Sequence, residues 1–287
     1  MLFRSVAAAL FLAAVVSASG APMRVVGIVD PILQAKAYSY TIPEGWQFEG
    51  AIVAGSSCVE TPSPVFRMTG PDRITEMKML PRFDWTWSEQ PKPPTFRDQD
   101  CLVLDKEVTA VEFLRAAAGI LGVTIVREDP LPNHAELQEK MRLRKSGPRM
   151  DNARFVVRYA VNGVPVEEDL TVKTLYMDST GYTSQGSYPF HTCSAWVMRA
   201  RAREGQLMDL RNTFAGIERS LVLDQQWNNN WMSAIREPGK QAAREKIKKE
   251  AQSVRERQYA DFLAIRQGKT GALHNGDWAD FVLGGHR

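Results

Sequence analysis

Beyond its opening residues, this chain of 287 has no apolar run long enough to cross a bilayer. Neither Gly-x-Gly-x-x-Gly nor a full Gly-x-x-x-x-Gly-Lys-Ser/Thr phosphate loop occurs, so nucleotide chemistry of those kinds is not expected. Gly-x-Ser-x-Gly and Cys-Gly-x-Cys-Trp are missing too, which removes two familiar routes to an activated nucleophile. The four histidines (His134, His191, His274, His286) never show a metal-ligand spacing. His191 and Cys193 share one face of a predicted strand, but two ligands fall short of the three or four that zinc takes. No metal and no cofactor are expected. Basic and acidic residues nearly balance, 36 against 33, for a net charge of +3, so nucleic acid is not an expected partner.

What is present starts with an export signal. Arg4 supplies the positive start, residues 6–16 an apolar core, and small residues follow, so residues 1–21 read as a signal peptide cleaved after Ala18 or slightly later. The mature protein is therefore expected in the periplasm or secreted, with no integral membrane span. Export permits oxidation, and the polar and Pro-rich loops around Cys58 and Cys101 make these two the disulfide candidates. Cys193, within a predicted strand, reads as a small buried residue.

The firmest structural signal is the stretch 154–177. Asn162-Gly163 suits a type I′ turn, which sets Phe155 against Leu170, Tyr159 against Val166 and Arg158 against Glu167. Glu168, opposite Val157, is the one residue out of pattern. Residues 37–53 read as strand, Pro-Glu-Gly turn, strand, and residues 64–81 as a hairpin turning at Gly70-Pro71-Asp72. Thr109 and Glu112 have capping-box spacing at the head of a helix, and a β-branched strand follows at 123–127. Asn133 and Glu136 have the spacing to cap a second, more polar helix to about residue 145. Residues 178–187, rich in Ser, Thr and Gly, read as a flexible stretch. A strand is expected over 191–203. Leu207, Leu210, Phe214, Ile217 and Leu221 then step by three and four, the stripe of a sheet-packing helix. Beyond Pro238-Gly239, residues 238–268 read as a charged amphipathic helix, and 269–287 as a flexible tail with a short apolar end.

Strand hairpins, a helix, further strands and a late amphipathic helix make an α+β order. With Tyr38-Ser-Tyr-Thr-Ile-Pro-Glu-Gly-Trp46 near the start, this order resembles the PsbP-like (Mog-type/PsbP) fold family, over about residues 36–231. Phe83-Asp-Trp-Thr-Trp87, Val161-Asn-Gly-Val-Pro-Val-Glu-Glu168 and Asp277-Trp-Ala-Asp280 are similar to exported bacterial proteins with no assigned activity. The resemblance implies a central antiparallel sheet flanked by helices and a non-enzymatic binding or assembly role, with no catalytic residues to carry over. Fold alone does not fix function.

The expectation is thus an exported binding or assembly factor of the cell envelope, its partner an envelope protein or an anionic ligand. Trp85 and Trp87 share one side of a strand, and Arg199, Arg201 and Arg203 one face of another; together they are the candidate partner surface. The competing readings are core-edge packing for the tryptophans and ion pairing under a helix for the arginines. Self-association through residues 240–267 is a further expectation. The alternatives are a secreted hydrolase, which needs Ser, His and carboxylate in contact, and a structural protein assembling through that last helix.

Overall fold

A computed structural model describes residues 22–53, 55, 59, 61–88, 102–104, 106–121, 123–129, 148–183, 186–236 and 249. The signal-peptide stretch, Cys58, Cys101, the polar helix expected at 133–145, nearly all of the charged helix at 238–268 and the tail lie outside these residues. No described helix is long and apolar enough to cross a membrane.

The first strand, β1 (Met23–Asp30), pairs antiparallel with β2 (Ala35–Pro43). β3 (Gln47–Val53), β4 (Ser63–Thr69), β5 (Glu76–Met79), β6 (Phe83–Trp87) and β7 (Leu102–Leu104) follow. After the helix α1 (Ala110–Leu121) come β8 (Thr124–Asp129), β9 (Arg149–Val161), β10 (Val164–Thr183) and β11 (Gly186–Arg203). The chain continues through the helix α2 (Arg211–Arg219), β12 (Val222–Leu223) and the helix α3 (Gln225–Arg236). The strands form a nine-stranded sheet with central order β3-β4-β5-β11-β10-β9-β8 and a three-stranded sheet β1-β2-β12. All pairings are antiparallel except β6 with β7.

The central hairpin has the expected register. Phe155 faces Leu170, Tyr159 faces Val166 and Arg158 faces Glu167. Asn162 (φ 51°) and Gly163 (φ 78°) both have positive φ, as a type I′ turn requires. A Cβ on Gly163 would meet nothing within 4 Å, so Gly163→Ala carries backbone strain alone. It is expected to lower stability by about 1–2 kcal/mol in urea unfolding; no change would mean the turn relaxes out of positive φ.

The strand, turn and strand expected over 37–53 are present as β2, Glu44-Gly45 and β3. The two strands do not pair with each other: β2 lies in the small sheet and β3 in the large one, with the turn as a corner between them. Gly45 (φ 80°) makes that corner, and Trp46 caps a core edge against Phe214. One expectation is corrected: residues 178–183 and 186–187, read as flexible, continue the ladder, since β10 runs to Thr183 and β11 starts at Gly186. Ser, Thr and Gly suggest turns, but a continuous ladder to a neighbouring strand overrides so weak a propensity.

Each face of the large sheet has its own core. On one face α1 packs Phe113 and Leu114 against Trp85, Phe155, Val157, Leu170 and Val172. The capping box starts this helix: Thr109 N–H donates to Glu112 Oε2 at 2.8 Å, and Glu112 N–H to Thr109 Oγ1 at 3.2 Å. On the other face Leu207, Phe214 and Ile217 pack with Met68, Met77, Ala200 and the inner side of the small sheet. The helix there begins at Arg211, after turns over 204–210, and Leu221 is exposed.

Candidate functional site

The expected partner surface resolves into separate parts. Trp85 is fully buried, stacked on Phe113 at 6.0 Å between ring centres, and Trp87 is buried against the His191 ring at 4.0 Å. Arg199 and Arg201 are buried as well, and Arg203 alone of the five is exposed. These side chains therefore form no exposed surface. Arg154, Arg158 and Lys173 lie on the opposite face of the sheet from Arg199, Arg201 and Arg203.

Arg199 and Arg201 belong to a closed ionic network on the α1 side of the sheet. Register places Arg199 beside Lys78 and Arg201 beside Glu76 on β5, with Arg201 opposite Glu168 on β10. Arg199 Nε donates to Glu168 Oε1 at 2.7 Å, and the Tyr159 hydroxyl donates to Glu168 Oε2 at 2.7 Å. Glu76 lies 2.6 Å from Arg67, 2.8 Å from Lys78 and 3.5 Å from Arg201. Arg201 also donates to the carbonyl of Ile74. Burial opposes ionisation of Glu76, but Lys78, Arg201 and Arg67 outweigh it and hold the carboxyl down to about 2. For Lys78 burial dominates, helped by Arg199, and brings the ammonium down to about 8 despite Glu76. Glu168 stays below the usual carboxylate range because Arg199 overcomes its burial.

His191 and Ser194 do not meet in a catalytic line. His191 Nδ1 sits 2.9 Å from Asp178, whereas the Ser194 hydroxyl donates to Asp84 at 2.7 Å. Asp84 is in turn clamped by Arg82 at 2.7 Å. Cys193 is buried and unbridged, and desolvation pushes its thiol up to about 12, far from a nucleophilic thiolate at neutral pH. Among the described residues no cluster of His, Cys, Asp and Glu suits a metal ion.

The open site is on the other face, between α2 and strands β9–β11. Here a groove of about 350 Å³ has an apolar floor of Met77, Met198, Ala200, Leu207 and Phe214. Its rim is charged. Arg154 Nε donates to Asp169 at 2.7 Å, and Lys173 Nζ lies 2.7 Å from Glu218 of α2. Arg211, at the start of α2, is exposed at the same rim, and among the described residues no side chain pairs with it. Asn152 adds a buried amide oxygen with no hydrogen-bond partner. The groove thus joins a greasy interior to an uncompensated cation and an unused acceptor.

Reading along the sequence does not reveal this groove, since its walls come from β5, β9, β10, β11 and the turns before α2. The usable signal was the stripe Leu207–Leu210–Phe214, whose spacing places α2 over the sheet. Arg211 and Ala215, one step off that stripe, are where a groove mouth would be sought.

No protein-family model matches the chain, and no curated protein matches it. Among solved structures it is similar to the cyanobacterial PsbP (CyanoP) from Synechocystis, with 11% identity over 72% of this chain and 96% of that one, TM-score 0.24. It is also similar to LpqN, involved in cell envelope biogenesis of Mycobacterium tuberculosis, with 12% identity over 70% and 91%, TM-score 0.27. The expected PsbP-like likeness therefore recurs among solved structures. At such TM-scores it carries no argument about site, ligand or activity.

Proposed function

We propose that this chain is an exported binding factor of the cell envelope, acting without chemistry of its own by holding an amphiphilic ligand in the groove under α2. The observation that carries this reading is the groove's make-up: methionines and Phe214 below, Arg211 unpaired above. An apolar tail gains by leaving water for such a floor, at roughly 25 cal/mol per Å² buried. An anionic end gains at Arg211, where among the described residues no carboxylate pairs with the guanidinium. The paired charges Arg154–Asp169 and Lys173–Glu218 give the mouth polarity without repelling either sign. The amino-terminal signal pattern supports export, and the envelope is where an exported binder of amphiphiles would work.

Titration of the mature chain with dansyl-undecanoic acid is expected to give saturable fluorescence enhancement. Ala215→Trp, which fills the groove mouth, and Arg211→Glu, which reverses its charge, are each expected to weaken binding about tenfold, the equivalent of ~1.4 kcal/mol. Absence of saturation, or equal binding by all three proteins, would overturn the assignment.

A further inference from the structure

The groove under α2 has two unlike ends. β11 stops at Arg203, and the chain turns through residues 204–210 and runs back over the sheet as α2. Arg211, Ala215 and Glu218 fall on one stripe of that helix, at steps of four and three, and all three line the groove. Along the axis Arg211 and Glu218 are roughly 10 Å apart, seven residues at about 1.5 Å each. The Arg211 end is open, with the guanidinium exposed and Met208 beside it 56% exposed. The other end is strapped: Lys173 Nζ reaches from β10 to Glu218 at 2.7 Å and joins the two banks.

Asn152 of β9 stands at the strapped end, directly opposite Lys173 in register. Its side-chain oxygen is buried and, among the described residues, accepts no hydrogen bond. A buried acceptor without a donor is unfavourable, and the fold bears that cost before any ligand arrives. A ligand that brings a donor to this point removes it. The amide lines the groove, and its terminal torsion is broad, so a small rotation turns the oxygen toward the interior.

We infer, resting on the groove reading above, that the ligand is a medium-chain acid with a hydroxyl at or near its far end. The carboxylate lies at Arg211, the chain over Met198 and Ala200, and the hydroxyl at Asn152. A hydroxyl both donates and accepts, so it suits the amide whichever edge the side chain presents. A ketone has no proton to give, and an ammonium would sit among Lys173 and Arg154, which line the same groove. The span of roughly 10 Å from Arg211 to the strap corresponds to about eight to ten carbons of a staggered chain. A hydroxyl close to the carboxylate would stay at the open end and never reach Asn152.

Isothermal titration calorimetry of the full mature chain with decanoate, 10-hydroxydecanoate and 3-hydroxydecanoate tests this. The wild type is expected to bind the 10-hydroxy acid about fivefold more tightly than decanoate, the size of one hydrogen bond, and the 3-hydroxy acid no more tightly. Asn152→Leu is expected to reverse the order and favour decanoate over the 10-hydroxy acid. Equal wild-type affinity for decanoate and 10-hydroxydecanoate overturns the inference and leaves the groove reading standing. A preference that survives in Asn152→Leu overturns it by placing the hydroxyl elsewhere, and so does a wild type that prefers the 3-hydroxy acid. If decanoate and both hydroxy acids fail to bind, the groove reading falls and the hydroxyl assignment with it.

Discussion

Arg199→Met is expected to lower the unfolding free energy by about 3–5 kcal/mol, the usual cost of stripping one partner from a buried ion pair. Arg199 and Glu168 are 6% and 1% exposed, and two guanidinium nitrogens reach the two carboxylate oxygens at 2.7 and 2.5 Å. Remove the guanidinium, and Glu168 remains inside with the Tyr159 hydroxyl and the more distant charges of Lys78 and Arg201. The loss then comes from the stranded carboxylate more than from the missing attraction. Glu168→Leu combined with Arg199→Met is therefore expected to recover most of it, less about 1 kcal/mol for the Tyr159 hydroxyl, which loses its acceptor and keeps only the contact with Arg201. Urea unfolding of both variants at neutral pH distinguishes the cases. A double variant as unstable as the single one would show that Arg199 acts through packing.

The second large effect is a loss of stability in acid governed by Glu76. Its carboxyl is held at about 2 in the fold against an ordinary value of 4.5. Because the folded value is the lower, the unfolded chain takes up the proton first as pH falls. Glu76 therefore contributes its full share above about pH 4.5 and loses it progressively toward pH 2. That share is about 3 kcal/mol. Stability measured by urea unfolding from pH 6 to pH 2.5 should fall more steeply for the wild type than for Glu76→Gln. The variant starts lower, having lost an acceptor for Arg67, Lys78 and Arg201. Parallel curves would place the acid sensitivity in other carboxylates.

How much of this network was legible beforehand is instructive. Glu168 stood out as the one residue breaking the apolar face of the 154–177 hairpin, and it is the residue around which the charges gather. In the sequence Arg199 and Arg201 read with Arg203 as a candidate partner face, with ion pairing under a helix as the competing reading; burial of Val197, which shares their strand parity, goes with the latter. What one strand could not disclose was that β5, far away in sequence, lies against β11 and brings Glu76 and Lys78 to them. Hairpin register is local, set by a two-residue turn. Sheet order is not: the corner at Gly45 sends β2 and β3 into different sheets, which a strand–turn–strand pattern cannot disclose. The groove shares this limit, since no single element contains it.

The small sheet joins the two ends of the described chain. β12 pairs with β2, the Thr41 amide donates to the Ser220 hydroxyl 179 residues away, and Trp227 Nε1 reaches Asp30 across 197. A ribosome or an export channel releases β1 and β2 long before residue 220 emerges. For that interval the leading strands have each other but neither their third strand nor the indole that occupies the Asp30 carboxylate. Loop-closure entropy on this scale slows pairing, so the segment born first is among the last to be secured. Any factor that shields the nascent amino-terminal strands should therefore raise the yield of folded protein, and a chain halted before Ser220 should leave Asp30 and Val26 open to proteases.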